Sequence, residues 1–263
     1  MPSPSELEKT PRRELHVFYI LDTSGSMSGT PIATLNNAMT ETVEVVRQQA
    51  KSNADALVKI SVLEFNSGFR WLQPQGPEEM EHFIWKDLKA GGLTDMGAAL
   101  KELDSKLSRH AFLNSMTGAY LPVIIFMTDG YATDDYKKAL EQIRKNRWFE
   151  RGTKIGFAVG EEADAEMITE IVGSAEAVVQ TDNLELFARM LKFASVTATM
   201  LCSQSRTDDS EISGKVILDK ARVDNPDMKG ALPEPEPFLG DPYVSSDIDE
   251  GDEWLFDDDG GFD

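Results

Sequence analysis

LHVFYILDTSGSMSGTPI, residues 15–32, decides the fold. Its first seven residues form a β-rich run with almost no polar break, the pattern of a strand buried on both faces. The run stops at Asp22 and gives way to residues 22–29, a loop of small residues. Pro31 suits the first turn of a helix, where its missing N–H would be unpaired anyway. Ile32, Leu35, Met39, Val43 and Val46 then recur at helical spacing and predict an amphipathic helix over residues 31–50.

The same unit returns along the chain. Residues 58–65 (VKISVLEF) read as a second strand, Asn66-Ser67-Gly68 as a turn, and residues 69–73 as a short antiparallel return closed by Pro74. A brief helix is expected over residues 78–88, a loop over residues 90–93 and a helix over residues 95–107. Residues 121–127 (LPVIIFM) form another buried strand that stops at Thr128-Asp129-Gly130. Thr133 is the expected N-cap of the next helix, with Asp134 and Asp135 in its first turn, where the macrodipole favours carboxylates. Strands over residues 154–159 and 177–180, a helix over 163–172 and a last helix over 184–203 complete the series. Strands alternating with helices predict a doubly wound, mostly parallel sheet of about six strands with helices on both faces. Right-handed crossovers set the loops after the parallel strands along one edge, where such sheets bind ligands. Residues 22–29, 91–94 and 128–131 therefore meet.

The formal net charge of −20 argues against nucleic acid or an anionic membrane surface as partner. From Gln204 onward 18 acidic residues face 5 basic ones, a net of −13 that leaves −7 for residues 1–203. Residues 204–263 are expected to be an acidic, largely disordered tail, with residues 1–13 a flexible N-terminus. Val216, Ile217 and Leu218 could add a short strand there. Trp254, Leu255 and Phe256 sit inside DEGDEWLFDDD, and residues 252–259 read as a possible docking peptide. No apolar run approaches the ~20 residues of a membrane span, and residues 1–14 lack a secretory pattern, so the cytoplasm is the expected location. The single cysteine, Cys202, is expected to pack rather than react.

Chemistry concentrates in the three loops. Asp22, Ser24 and Ser26 offer one carboxylate and two hydroxyls at alternate positions directly after a buried strand. Thr94 adds a hydroxyl and Asp129 a second carboxylate. Oxygen donors of this kind suit one divalent cation, Mg²⁺ first and Mn²⁺ or Ca²⁺ as alternatives. Few anionic ligands leave the ion with residual positive charge and an open position, which an Asp or Glu of a protein partner would answer. DTSGS with Thr94 and TDG resembles the metal-ion-dependent adhesion site of von Willebrand factor A domains. The resemblance covers residues 15–203, implies a Rossmann-like domain over residues 14–203, and carries the metal ligands over to Asp22, Ser24, Ser26, Thr94 and Asp129. The Gly91-Gly92-Leu93-Thr94 loop has one residue more than the common Gly-Gly-Thr form. LDTSGSMSGTPI and FMTDGYATDD look closest to the TerY-type tellurium-resistance branch. That branch implies a bacterial stress-response setting beside a Ser/Thr kinase and a PP2C-type phosphatase.

Structural readings stand beside these. Asp22 could cap the following helix, Ser24 and Ser26 could be ordinary turn residues, and Asp95 is expected to start a helix rather than support the site. Met27 and Tyr131 flank the site and could shape a partner contact. A haloacid-dehalogenase-like phosphatase needs a second carboxylate two residues after the first, and Ser24 stands there. His16, His82 and His110 all lie outside the three loops, which leaves a serine hydrolase without its base. A non-enzymatic, metal-dependent adaptor is the expected function. The alternatives are a switch in which a carboxylate among residues 247–259 occupies the cation site, with Ser245 and Ser246 as phosphoacceptors, and a metal-dependent phosphohydrolase.

Overall fold

β1 (Arg13–Asp22) has a neighbour on each edge and helices on each face, and its last eight residues are buried without alternation. It pairs parallel with β2 (Ala56–Asn66) and with β5 (Val123–Thr128). The computed structural model of the protein describes residues 11–204 and 212–224. Beyond β5 lie β6 (Thr153–Val159) and β7 (Val178–Thr181), both parallel. On the other side β2 carries two antiparallel strands, β3 (Gly68–Trp71) and the two-residue β4 (Glu78–Glu79). The sheet therefore has seven strands in the order β3-β2-β1-β5-β6-β7, with β4 attached to β2. The expected doubly wound, mostly parallel sheet is what forms, and β4 is the strand too short to leave a sequence signal.

Successive residues of β1 feed opposite cores, as the pleat requires. Leu15, Val17, Tyr19 and Leu21 pack under α1 (Thr30–Ser52) and α6 (Leu184–Ser203). Phe18 and Ile20 pack under α2 (Met96–Lys106), α3 (Tyr136–Ile143), α4 (Arg147–Arg151) and α5 (Ala165–Val172). None of the helices is long and apolar enough to cross a membrane, among the described residues.

Two expectations fail. The helix expected over residues 78–88 is absent: β4 is followed by a turn and then an irregular stretch without helix. Met80, Phe83 and Leu88 are buried there, so their spacing imitated an apolar helix face. The backbone of Leu88 is held instead by Asn36 of α1. The Asn36 amide donates to the Leu88 carbonyl at 3.0 Å, and its carbonyl accepts from the Leu88 N–H at 2.8 Å. Tertiary hydrogen bonding has overridden local propensity.

The second failure is the strand over Val216, Ile217 and Leu218, which lie in α7 (Gly214–Asp224), a helix. Ile217 and Leu218 are fully buried in the α1/α6 core, and Thr153 Oγ1 donates to the Ile212 carbonyl at 2.5 Å. This part of the supposed tail lies against the domain. The other tail features, namely residues 225–263 with the 252–259 peptide, lie outside the described residues, as do residues 1–10.

Gly214 is where α7 comes against β6. A Cβ there would stand 2.1 Å from the Lys154 carbonyl oxygen and 2.8 Å from the Ala177 Cβ. Cys202 of α6 is buried nearby, with its Sγ 3.4 Å from Thr153 Oγ1, and burial pushes its thiol up to about 11. Gly214→Val is therefore expected to undock α7, at a cost of roughly 1–3 kcal/mol or more from overpacking against backbone. The check is Cys202 modification by a thiol reagent in native buffer, which should run much faster in the variant than in the wild type.

Candidate functional site

Asp22 is the last residue of β1, opposite Phe65 of β2, and its carboxylate is fully buried. Oδ1 accepts from the Ser24 N–H at 2.7 Å and Oδ2 from Thr128 Oγ1 at 2.5 Å. The loop then makes a short 3-10 turn, Gly25–Met27, that turns Ser26 outward and buries Met27. Met27 thus anchors the loop from below and cannot shape a partner contact, whereas Tyr131 is exposed. Ser24 Oγ and Ser26 Oγ lie 2.9 Å apart, and Ser26 Oγ donates to Asp129 Oδ1 at 2.8 Å. Asp22, Ser24, Ser26 and Asp129 therefore form one connected cluster of oxygens across two loops.

The second loop is bound to the first by backbone. Gly91 N–H donates to the Thr23 carbonyl at 2.8 Å, and Gly25 N–H to the Gly92 carbonyl at 3.0 Å. Gly25 is needed for this approach, since a Cβ would meet the Gly92 oxygen at 3.2 Å. Thr94 is buried at the end of this loop and is tied to the third. Its N–H donates to Thr133 Oγ1 at 3.0 Å, and its carbonyl accepts from the Thr133 N–H at 2.9 Å. Among the described residues its hydroxyl makes no hydrogen bond to the other four side chains, so hydrogen bonds link four of the five candidate ligands, while Thr94 is tied through its backbone to the third loop.

Four further residues support the site in roles the sequence did not disclose. Asp95 stands at the N-cap position of α2 without capping it. Its carboxylate accepts from the Gly68 N–H at 2.8 Å and from Thr133 Oγ1 at 3.2 Å, so it braces the loops and is not the simple helix-start residue expected. Asp134 accepts from the Gly97 and Ala98 N–H groups of α2 at 2.8 and 2.9 Å, which caps α2 from the third loop rather than α3. Thr133, expected to cap α3, is taken up by Thr94 and Asp95, and α3 begins at Tyr136 with no side-chain cap bond. Thr128 holds Asp22, and a threonine at the end of an apolar strand was the only available hint.

Neither cluster carboxylate has an ion-pair partner among the described residues. Burial raises Asp22 above the usual carboxylate range, against the lowering effect of its bonds from Thr128 and Ser24. Asp129 is raised first by burial and then by the charge of Asp22, while the bond from Ser26 lowers it. The described residues offer no cluster of three or more His, Cys, Asp or Glu for a metal. What the cluster offers is two uncompensated carboxylates set among hydroxyls. Such a set fits a hard divalent cation, which satisfies oxygen donors and relieves repulsion between buried charges.

Comparison with known proteins agrees with this architecture. A family model described as von Willebrand factor type A domain matches residues 16–191. Proximal thread matrix protein 1 from the mussel byssus superposes with a TM-score of 0.53 at 15% identity, over 71% of this chain and 48% of its own. A form of that protein with a zinc-occupied metal-ion-dependent adhesion motif gives 0.51 at 15% identity, over 73% and 46%. A von Willebrand factor type A protein from Catenulispora acidiphila gives 0.50 at 17% identity, over 72% and 43%. At these identities the likeness is one of fold, and the chain spans about half the length of these solved proteins. No curated protein matches it.

The raised carboxylates have a measurable consequence. A carboxyl whose folded pKa lies above its unfolded value destabilises the fold as pH rises through those values, because the folded state binds more protons. In chelator at pH 7, Asp22→Asn is expected to raise the thermal midpoint relative to wild type. The advantage should shrink as pH falls below the ordinary carboxylate range, where both side chains are neutral. Differential scanning fluorimetry across pH reads this directly.

Proposed function

The chain belongs to the von Willebrand factor type A domain family, and on that premise we propose that it is a metal-ion-dependent protein-binding module. Asp22, Ser24, Ser26, Thr94 and Asp129 would hold one divalent cation. Mg²⁺ is the first choice, with Mn²⁺ or Ca²⁺ as alternatives, because every donor is a hard oxygen. The zinc in the mussel protein's motif shows that a related fold accepts a borderline ion as well. Bound there, the ion would supply a positive centre for a partner's Asp or Glu. The observation that carries this reading is the oxygen cluster itself, in which two carboxylates and two serine hydroxyls converge with no cationic side chain among the described residues to balance them.

The chain's own residues do the preparatory work. Thr128 and the Ser24 N–H orient the Asp22 carboxylate, and Ser26 orients Asp129. Asp95, Thr133 and Asp134 brace the second and third loops around them. The N-terminus of α1, which follows the first loop, adds the positive end of a 23-residue helix at the same edge. With the cation in place, this arrangement would favour an incoming anion.

The finer reading rests on the wording of two loops, LDTSGSMSGTPI and FMTDGYATDD. It sets the module in a bacterial, cytoplasmic stress-response or tellurium-resistance complex with a Ser/Thr kinase and a PP2C-type phosphatase as candidate partners. Catalysis is not part of this proposal, since Ser24 occupies the position where a phosphatase of this topology would carry its acid. Turnover of a generic phosphoester with Mg²⁺ or Mn²⁺, abolished by Asp22→Ala, would overturn that exclusion.

Calorimetric titration of Mn²⁺ into the full chain should show one site. Asp22→Ala should weaken it by about 100-fold or more, beyond the 10- to 100-fold range seen for outer-shell changes. Pull-downs from a lysate of the source cells should then recover a partner in Mg²⁺ that is lost in chelator and lost with Asp22→Ala. Recovery indifferent to both would sink the reading.

A further inference from the structure

Two large apolar side chains stand in the open beside the oxygen cluster. Leu93 is 57% exposed and immediately precedes Thr94; Tyr131 is 65% exposed and lies two residues past Asp129. The backbone that carries each is held in place. The Leu93 N–H donates to Ser67 Oγ at 3.0 Å, and the left-handed backbone at Gly92 (φ 86°) admits no Cβ, which would fall 2.7 Å from Ser67 Oγ. The Tyr131 loop is bound to the Leu93 loop by the paired Thr94–Thr133 hydrogen bonds. Apolar groups fixed in water next to a site that wants a carboxylate favour a ligand with large apolar residues beside its acid.

Resting on the reading of the cluster as a carboxylate-accepting cation site, we propose that its occupant is residues 252–259 of the same chain, docked in cis. This segment reads Asp-Glu-Trp-Leu-Phe-Asp-Asp-Asp, with Trp254, Leu255 and Phe256 between Glu253 and Asp257. An acid supplies the ligand, and the aromatic and aliphatic side chains cover Leu93 and Tyr131. Chain length permits the path. Gly214 anchors the start of α7 against the first residues of β6, at the edge of the sheet opposite the site. The roughly 28 residues from 225 to 252 can span up to about 90 Å. A ten-residue strand such as β1 is only about 33 Å long. Body and segment are both acidic, so at a distance they repel; the attraction exists only with the cation in place. A tethered ligand also needs little intrinsic affinity, because its effective concentration is on the order of mM.

The test uses the full chain and a fluorescein-labelled peptide with the sequence of residues 250–260. In Mg²⁺ the peptide should bind the full-length triple variant Trp254→Ser, Leu255→Ser, Phe256→Ser at least about tenfold more tightly than wild type, because the tethered competitor is gone. Adding Leu93→Ser and Tyr131→Ser to the triple variant should weaken the peptide by about tenfold. Chelator should abolish binding throughout. Equal affinity for wild type and triple variant, no binding to either, or binding indifferent to chelator each overturns the inference. So does a concentration-dependent dimer that the triple substitution dissolves, which would place the segment on a second copy. Mn²⁺ titration on the same samples separates the two levels. Mn²⁺ binding lost in Asp22→Ala, without the peptide effects, sinks the docking inference and leaves the cation site standing. Absence of Mn²⁺ binding sinks both.

Discussion

Asp22 ends the central strand with its carboxylate out of water and, among the described residues, without a cationic side chain to meet it. Taking such a charge out of water costs several kcal/mol unless hydrogen bonds or an opposite charge answer it. The crest of the sheet is organised around that demand. The Ser24 N–H and the Thr128 hydroxyl each donate to one carboxylate oxygen, which fixes the orientation of the group without neutralising it. Asp129, arriving from β5, adds a second negative group to the same neighbourhood and so increases the demand. Two carboxylates brought together in this way raise each other's cost of carrying charge, and an opposite charge beside them would lower it.

The demand is concentrated because the scaffold leaves it no room to relax. β1 is held between β2 and β5 by ladders on both edges, so Asp22 and Thr128 are set by register. Backbone bonds between Thr23 and Gly91 and between Gly25 and Gly92 bind the second loop to the first, and the Thr94–Thr133 pair binds it to the third. Asp95 and Asp134 complete the frame by spending their carboxylates on backbone N–H groups of other segments, Gly68 in one case and the start of α2 in the other. Four acidic side chains thus occupy one edge of the sheet with two different tasks. Two accept from backbone N–H groups and hold the loops; the other two, buried Asp22 and half-buried Asp129, have no ion-pair partner among the described residues.

The far edge of the domain is built on different principles. There α7 closes against β6 and α6 through a glycine contact, two fully buried aliphatic residues and the Thr153 hydroxyl. The apolar content of this helix is modest beside the acidic stretch in which it is embedded, and burial of Ile217 and Leu218 is what holds it to the body. α7 thus has a defined anchor at the end of the sheet opposite the oxygen cluster.

The mostly parallel sheet, its two helix-bearing faces and the identity of the three loops were legible in the sequence, whereas the order of the strands across the sheet was not. Buried parallel strands announce themselves as unbroken apolar runs, and residues 15–21 and 121–127 did so. Asp22, Ser24, Ser26 and Asp129 were legible for the same reason: each stands at a fixed offset from a strand end, and strand ends set position. What the sequence could not disclose depends on partners far away in the chain. The stretch after β4 shows helical apolar spacing, yet Asn36, 52 residues distant from Leu88, claims its backbone. Asp134 looks like a cap for the helix that follows it and caps α2 instead, because loop packing brings those N–H groups nearer. Val216, Ile217 and Leu218 look like strand or tail until the surface that buries them exists. Local pattern reports what a segment does with its own neighbours, and only the assembled fold decides which distant donors, acceptors and apolar surfaces compete for it.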